Sequence, residues 1–346
     1  MTTEKKQEFQ IARGLAIIFV LIHHAIAQVN SNVILDSLDY IIICFHMPVF
    51  FVIAGYLFEV KNNKYIEMGK GRFLLNKAKH LLVPYAFWSF VLWGGIQTAC
   101  HFENMRKQLF NMGFTPMSFK NFLYGFLTYE QYYIEHLWFI YVLFNFFVIH
   151  MLLGNLGNKK AMIALTLIAG LVTNYVNFPH IIERSMIWMI FFCCGRYIAN
   201  NLENYLTQFN DTKKLIIISA LFAYCCYLRL SWKNQGDVVE IKLLQQIIKY
   251  IIGFLGTMLV YICASWLRKT AVSKMFIVIG NYSYDIYLMH NPYIVALSSV
   301  VLGRLLGLNV VLTIFVSVVL GISIPLIASK VIINRFTLMK RIMLGK

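Results

Sequence analysis

Charge is scarce in this sequence. Asp, Glu, Lys and Arg together make up 13% of the 346 residues, and only 15 of these side chains are acidic. A soluble domain of this length could not cover its surface with so few charges. Proline occurs six times, and no Pro-, Gly- or Ser-rich stretch sets one part of the chain apart as a linker. No internal repeat stands out. The seven cysteines (Cys44, Cys100, Cys193, Cys194, Cys225, Cys226 and Cys263) all lie in or at the ends of apolar runs. That placement argues against an exported disulfide framework and suits small buried hydrophobes.

What the chain has is apolar surface: 59% of residues are hydrophobic, with a mean hydropathy of +0.66. Apolar runs recur from end to end, and a bilayer leaves the backbone of such runs no choice but the helix. The sequence therefore predicts an all-α polytopic membrane protein of about ten spans, each of roughly 17 to 25 residues. They fall near 11–29, 39–59, 81–100, 134–153, 161–178, 184–200, 214–230, 245–267, 276–301 and 308–333. One integral-membrane domain, 1–346, accounts for the whole length. The net charge of +16 reads as positive-inside bias, so a nucleic-acid partner is not implied. Most basic residues fall on one side if the N-terminus, the 60–80 segment and the C-terminus are cytoplasmic. "AIA" at 25–27 resembles a signal-peptidase site, but the histidines before it favour an uncleaved signal anchor.

Ionisable groups inside spans are costly and tend to be functional. The segment "RGLAIIFVLIHHA" (13–25) carries three. Arg13 and His24 are about three turns apart, so they leave the helix on one face, roughly 16 Å apart along its axis. His23 points about 100° away and is expected to matter less. Taken singly, Arg13 could be a snorkelling end residue and His24 an interhelical hydrogen-bonding group. Together they point to a site, and histidine suits proton transfer near neutral pH. "CFHMPVFFVIAGYLF" (44–58) places His46 beside a Met-Pro kink, where a freed carbonyl invites a cavity. "EHLWFIYVLFN" (135–145) opens a span with Glu135 and His136. "GNYSYDIYLMHNP" (280–292) puts Asn281, Ser283, Asp285 and His290 in an otherwise apolar segment.

These stretches, in this order, resemble the acyltransferase-3 family of integral-membrane acyltransferases. Arg13 and His24 match the family's Arg and His with ten residues between them in the first span. "FHMPVFFVIAGY" matches F-x-M-P-x-F-F-x-x-x-G-Y, and "KAKHLLVPY" matches a basic loop leading into L-L-x-P-Y. "HLWFIYVLF" and "SYDIYLMHNP" match two later segments. One departure stands out: where many members carry R-x-x-R before the proline, this chain has Lys77 and His80, a point charge and a part-time cation rather than bidentate forks.

The resemblance implies transfer of an acyl group, commonly acetyl, from acyl-coenzyme A to a hydroxyl of a cell-surface carbohydrate, in a bacterial inner membrane. Acetyl-CoA is then a substrate; no bound cofactor and no metal are expected. His24 becomes the candidate base or acyl-accepting nucleophile. Arg13 becomes a partner for coenzyme A phosphates, with Lys77 and His80 as further donor contacts. His46 or a polar group of the ninth span is a candidate oxyanion donor. Glu135, His136, Ser283 and His290 would orient the base or bind the acceptor. A transporter or exporter of a glycan or lipid-linked sugar remains the alternative, since it too needs polar groups in the membrane, although no two matching halves are visible. The sequence permits a homo-oligomer and does not require one.

Overall fold

A computed structural model describes residues 2–29, 32–111, 114–128, 132–153, 158–199, 212–235 and 238–346. Among these the chain is helical, with no strand. Six helical segments are long and apolar enough to cross a bilayer: Thr3–Ile26 (α1), Val33–Val60 (α2), Glu135–Leu152, Thr212–Ser231 (α10), Val239–Leu267 (α11) and Val310–Arg335. The third of these joins a 3-10 turn, Tyr132–Leu137, to α7, Trp138–Leu153. The last contains α15, Val310–Ile327. α2 is the central helix, with 72% of its apolar window buried against 17% for α10, so α10 presents most of its surface outward.

Local chemistry sets several ends. The Asn32 side chain caps α2 by accepting from the Leu35 N–H at 3.0 Å, and Asn309 caps α15 through the Val311 N–H at 2.8 Å. Pro48 lies inside α2 and cannot donate to the carbonyl of Cys44. That carbonyl instead faces Gly253 of α11, where a Cβ would sit only 3.0 Å away.

Glycines fix the closest crossings. A Cβ on Gly55 of α2 would meet the Phe192 carbonyl at 2.0 Å, and one on Gly195 would meet the Val52 carbonyl at 2.1 Å. α2 and α9 (His180–Ile198) therefore touch backbone to backbone. A Cβ on Gly280 would fall 1.8 Å from the Gln10 carbonyl, which seats α1 against α12 (Ser273–Asn281).

The structure departs from the expected spans in three places. The basic segment taken as a cytoplasmic loop is helical, as α3 (Asn62–Met68) and the first turns of α4 (Lys70–Ala99). The fifth span is shorter, α8 being Lys159–Val172. The ninth is not one helix but three short ones: α12, α13 (Ser283–Met289) and α14 (Val295–Val300). Pro292 explains the second break, because the residue before a proline avoids helical geometry and the proline has no N–H to donate. Between α4 and α7 lie α5 (Glu103–Asn111) and α6 (Phe119–Thr128). Phe122 of α6 stacks on Trp93 of α4 at 5.3 Å. The chain ends in α16, Thr337–Leu344.

Candidate active site

Five histidines from four parts of the chain meet between these helices. α1 supplies His23 and His24, whose ring centroids are 4.8 Å apart. His46 of α2 stacks on His23 at 5.7 Å, and His290 lies 5.0 Å from His24. His136, on the 3-10 turn, stands edge-on to His290 at 5.9 Å. His23, His24, His46 and His136 line a cavity of about 560 Å³, and His290 lies beside His24 and His136 at its edge.

Hydrogen bonds fix three of the rings. His46 donates from Nδ1 to the Ile42 carbonyl at 2.7 Å, and His290 donates from Nδ1 to the Tyr287 carbonyl at 2.8 Å. Each neutral ring is left with Nε2 as a lone-pair acceptor. His46 is thus arranged to accept from a hydroxyl, not to donate to an oxyanion as the sequence suggested. His23 Nδ1 lies 2.7 Å from the Asp39 carboxylate of α2. The Tyr287 hydroxyl donates to the His136 carbonyl. Nε2 of His136, Nε2 of His290 and Oδ1 of Asn291 are buried without a hydrogen-bond partner among the described residues. His24 lines the cavity and is the ring nearest to both His23 and His290.

A second cavity, of about 240 Å³, holds Arg13 and Ser283. Met47 and Tyr287 line both cavities, so the two abut. The rest of the Arg13 cavity is largely apolar, with Phe50, Ala54, Phe139 and Leu143 in its wall. Arg13 forms no ion pair among the described residues. Arg13 and His24 therefore face two adjoining spaces along one side of α1.

The basic pair before Pro84 lies elsewhere. Lys77 Nζ sits over the Phe147 ring at 4.4 Å and the Tyr65 ring at 5.1 Å. His80 donates to the Gly345 carbonyl, and its own carbonyl accepts from the Tyr284 hydroxyl at 3.1 Å. Neither side chain lines either cavity. Asp285 is fully buried against Lys346 at 2.5 Å and lines neither.

Several lining residues escaped the sequence reading. His23 was set aside because a helix turns about 100° per residue. In fact Val20, His23, His24, Ala27 and Gln28 all line the large cavity, which wraps around a broad face of α1. Asp39 had no visible partner in sequence. α9 contributes His180, Glu183, Arg184, Ile187 and Trp188; their i, i+3, i+4, i+7, i+8 spacing was the available signal. Arg184 pairs with Glu135 at 2.9 Å, which places the expected Glu135 at the cavity wall. Lys249 of α11 and Trp138 complete that wall. Among the described residues, no three His, Cys, Asp or Glu side chains converge as a metal site.

Comparison with known proteins identifies the family. Over 300 residues the chain is 22% identical to YfiQ of Bacillus subtilis strain 168, named as a membrane-bound acyltransferase; the match covers 81% of this chain and 76% of that protein. It is 23% identical over 230 residues to the nodulation protein NolL of Sinorhizobium fredii, covering 65% of this chain and 57% of NolL. No solved structure matches it. Residues 6–330 match the acyltransferase-3 profile, described as an acyltransferase domain. Nearly the whole chain is thus accounted for, and the protein belongs to the acyltransferase-3 family of membrane-bound acyltransferases.

Proposed function

We propose that the protein transfers an acyl group, acetyl foremost, from acyl-coenzyme A to a hydroxyl of a cell-surface or lipid-linked carbohydrate, in the inner membrane of a bacterium. Both termini face the cytoplasm in this reading, and about ten segments cross or enter the bilayer. The observation that carries it is the pair of abutting cavities: one with apolar walls and Arg13, which has no ion pair among the described residues, the other lined by four of the histidines. An acyl-pantetheine arm fits the first in character and a sugar hydroxyl the second.

The chemistry follows from the residues. His24 takes the proton of the acceptor hydroxyl as its oxygen attacks the thioester carbonyl carbon. The negative charge that develops on the carbonyl oxygen needs a donor, and the side-chain amide of Asn291, beside the histidines, can supply one. Collapse breaks the carbon–sulfur bond, and the leaving thiolate receives the proton from His24. The products are an ester and free coenzyme A. The Asp39 carboxylate, through His23, favours the cationic ring that forms next to it. Arg13 anchors the donor by a charge-assisted hydrogen bond.

Purified protein in nanodiscs should release thiol from acetyl-coenzyme A only when a carbohydrate acceptor is supplied, and should yield an acylated sugar. A purified, folded protein that consumes no acyl thioester with any of a panel of donors and acceptors would overturn the reading. An acyl group trapped on His24 without acceptor would replace direct transfer by a two-step route.

A further inference from the structure

The large cavity contains a cation with no counter-ion among the described residues. Lys249 shares a face of α11 with Gly253 and Gly256, at i, i+4 and i+7. A Cβ on Gly253 would meet Phe191 of α9 at 2.6 Å, and one on Gly256 would meet Phe45 of α2 at 2.5 Å. That face is pressed against the bundle, so Lys249 points inward. Its Nζ lies 4.5 Å from the centroid of Trp188, and the residue lines the cavity.

The other charges near Lys249 have partners. Arg184 pairs with Glu135 at 2.9 Å, and Glu183 lies 3.8 Å from His180. Arg229, a charged neighbour of Lys249, donates to the Gln245 carbonyl at 3.1 Å. Lys249 has neither a hydrogen bond nor an ion pair among the described residues, although Glu183 is also a neighbour. An ammonium group offers three donors, and within a span a half-buried cation that no described residue satisfies is costly. The face of Trp188 offsets only part of that cost. Beside it, Trp138 and Trp188 lie 5.5 Å apart with 34° between their planes, an apolar surface at the same end of the cavity.

We propose that Lys249 is an anion subsite, and that the acceptor carbohydrate carries a carboxylate or phosphate that binds Lys249 Nζ while its reacting hydroxyl lies among the histidines. This rests on the reading of the large cavity as the acceptor site. A neutral sugar would satisfy the tryptophans and leave the ammonium unpaired. An acidic sugar, or a sugar phosphate from a lipid-linked or polymeric acceptor, satisfies both.

The test reads binding without any donor, so it stands apart from catalysis. Glucuronic acid, glucose 6-phosphate and glucose are titrated calorimetrically into the purified full chain in nanodiscs, as wild type, Lys249→Met and Lys249→Arg. Wild type should bind at least one anionic sugar about tenfold or more tightly than glucose, as expected for one charge-assisted hydrogen bond. Whichever anion binds more tightly separates the carboxylate from the phosphate source. Lys249→Met should erase that preference, and Lys249→Arg should keep most of it. Equal binding of all three sugars by wild type, or a preference that survives in Lys249→Met, would overturn the proposal. The wild-type comparison is decisive even if a variant fails to fold. Anion preference without acyl transfer would sink the proposed reaction and leave the subsite standing; transfer without anion preference would do the reverse.

Discussion

Two of the clusters of ionisable groups within the helix bundle are wired differently. In the first, Glu59 at the end of α2 accepts from Lys159 at 2.6 Å and from Arg196 at 3.0 Å, and Arg196 donates to His150 Nδ1 at 2.8 Å. Each charge has a protein partner, and the cluster ties α2, α7, α8 and α9 together. In the second, the histidine cavity and its Arg13 annex, buried polar atoms stand without partners among the described residues, and there Arg13 and Lys249 lack counter-ions. A bundle pays for unsatisfied polar groups only where something else binds them. The first cluster ties the helices together; in the proposed reading the second holds substrates.

Mutation can break that comparison. The largest effect should come from His24→Ala, which removes the proposed base and should lower turnover by about 10² to 10⁴ while the protein stays inserted and folded, as judged by thermal melting. Glu59→Ala should do the opposite. Leaving Arg196 and Lys159 unpaired should cost about 3 kcal/mol of stability, seen as a lower melting temperature, with donor affinity little changed in protein that remains folded. If Glu59→Ala instead lowered activity in fully folded protein, the two clusters would not be separate in role.

Asp39→Asn sharpens the view of His23. The hydrogen bond can persist, but the charge that favours an imidazolium is lost, so turnover should fall by about tenfold or more, in line with a hydrogen bond to a charged group. His23→Ala should fall by a similar amount. Unchanged turnover in both would return His23 to the role first read from its position on the helix.

The smallest expected effect is at Arg13. Arg13→Ala should weaken acyl-coenzyme A binding by about tenfold, with acceptor binding less affected, and Arg13→Lys should recover part of it. The loss should shrink for an acyl-pantetheine that lacks the nucleotide phosphates. Equal loss for both donors would move Arg13 from the phosphates to the thioester end.

How much of this was legible in sequence depends on whether the signal was local. Helix content followed from composition, because apolar runs in a bilayer have one way to satisfy their backbones. The shared face of Arg13 and His24 followed from helical period alone. His46 and His290 stood out as polar residues in apolar segments. The break at Pro292 was equally local, since the Asn-Pro step was printed in the chain; the ninth span was nonetheless read as continuous.

Other features had no local signal. His23 looked misdirected because period says where a side chain points and not how wide a cavity is. Its partner Asp39 lies on another helix. Lys77 and His80 sat in a segment that matched a family motif, yet Phe147 and Gly345, distant in sequence, determine where they go. Lys249 has no distinguishing signal in sequence; its place beside Trp188, without a counter-ion among the described residues, is a matter of packing. The sequence by itself determined that the chain is helical, from its apolar runs, that it resembles a family of membrane acyltransferases, from motifs in the right order, and that its first span carries a polar seam, because spacing along one helix is set by backbone geometry. The tertiary structure alone decided which ionisable groups find a partner among the described residues and which do not, because a partner across helices is fixed by packing.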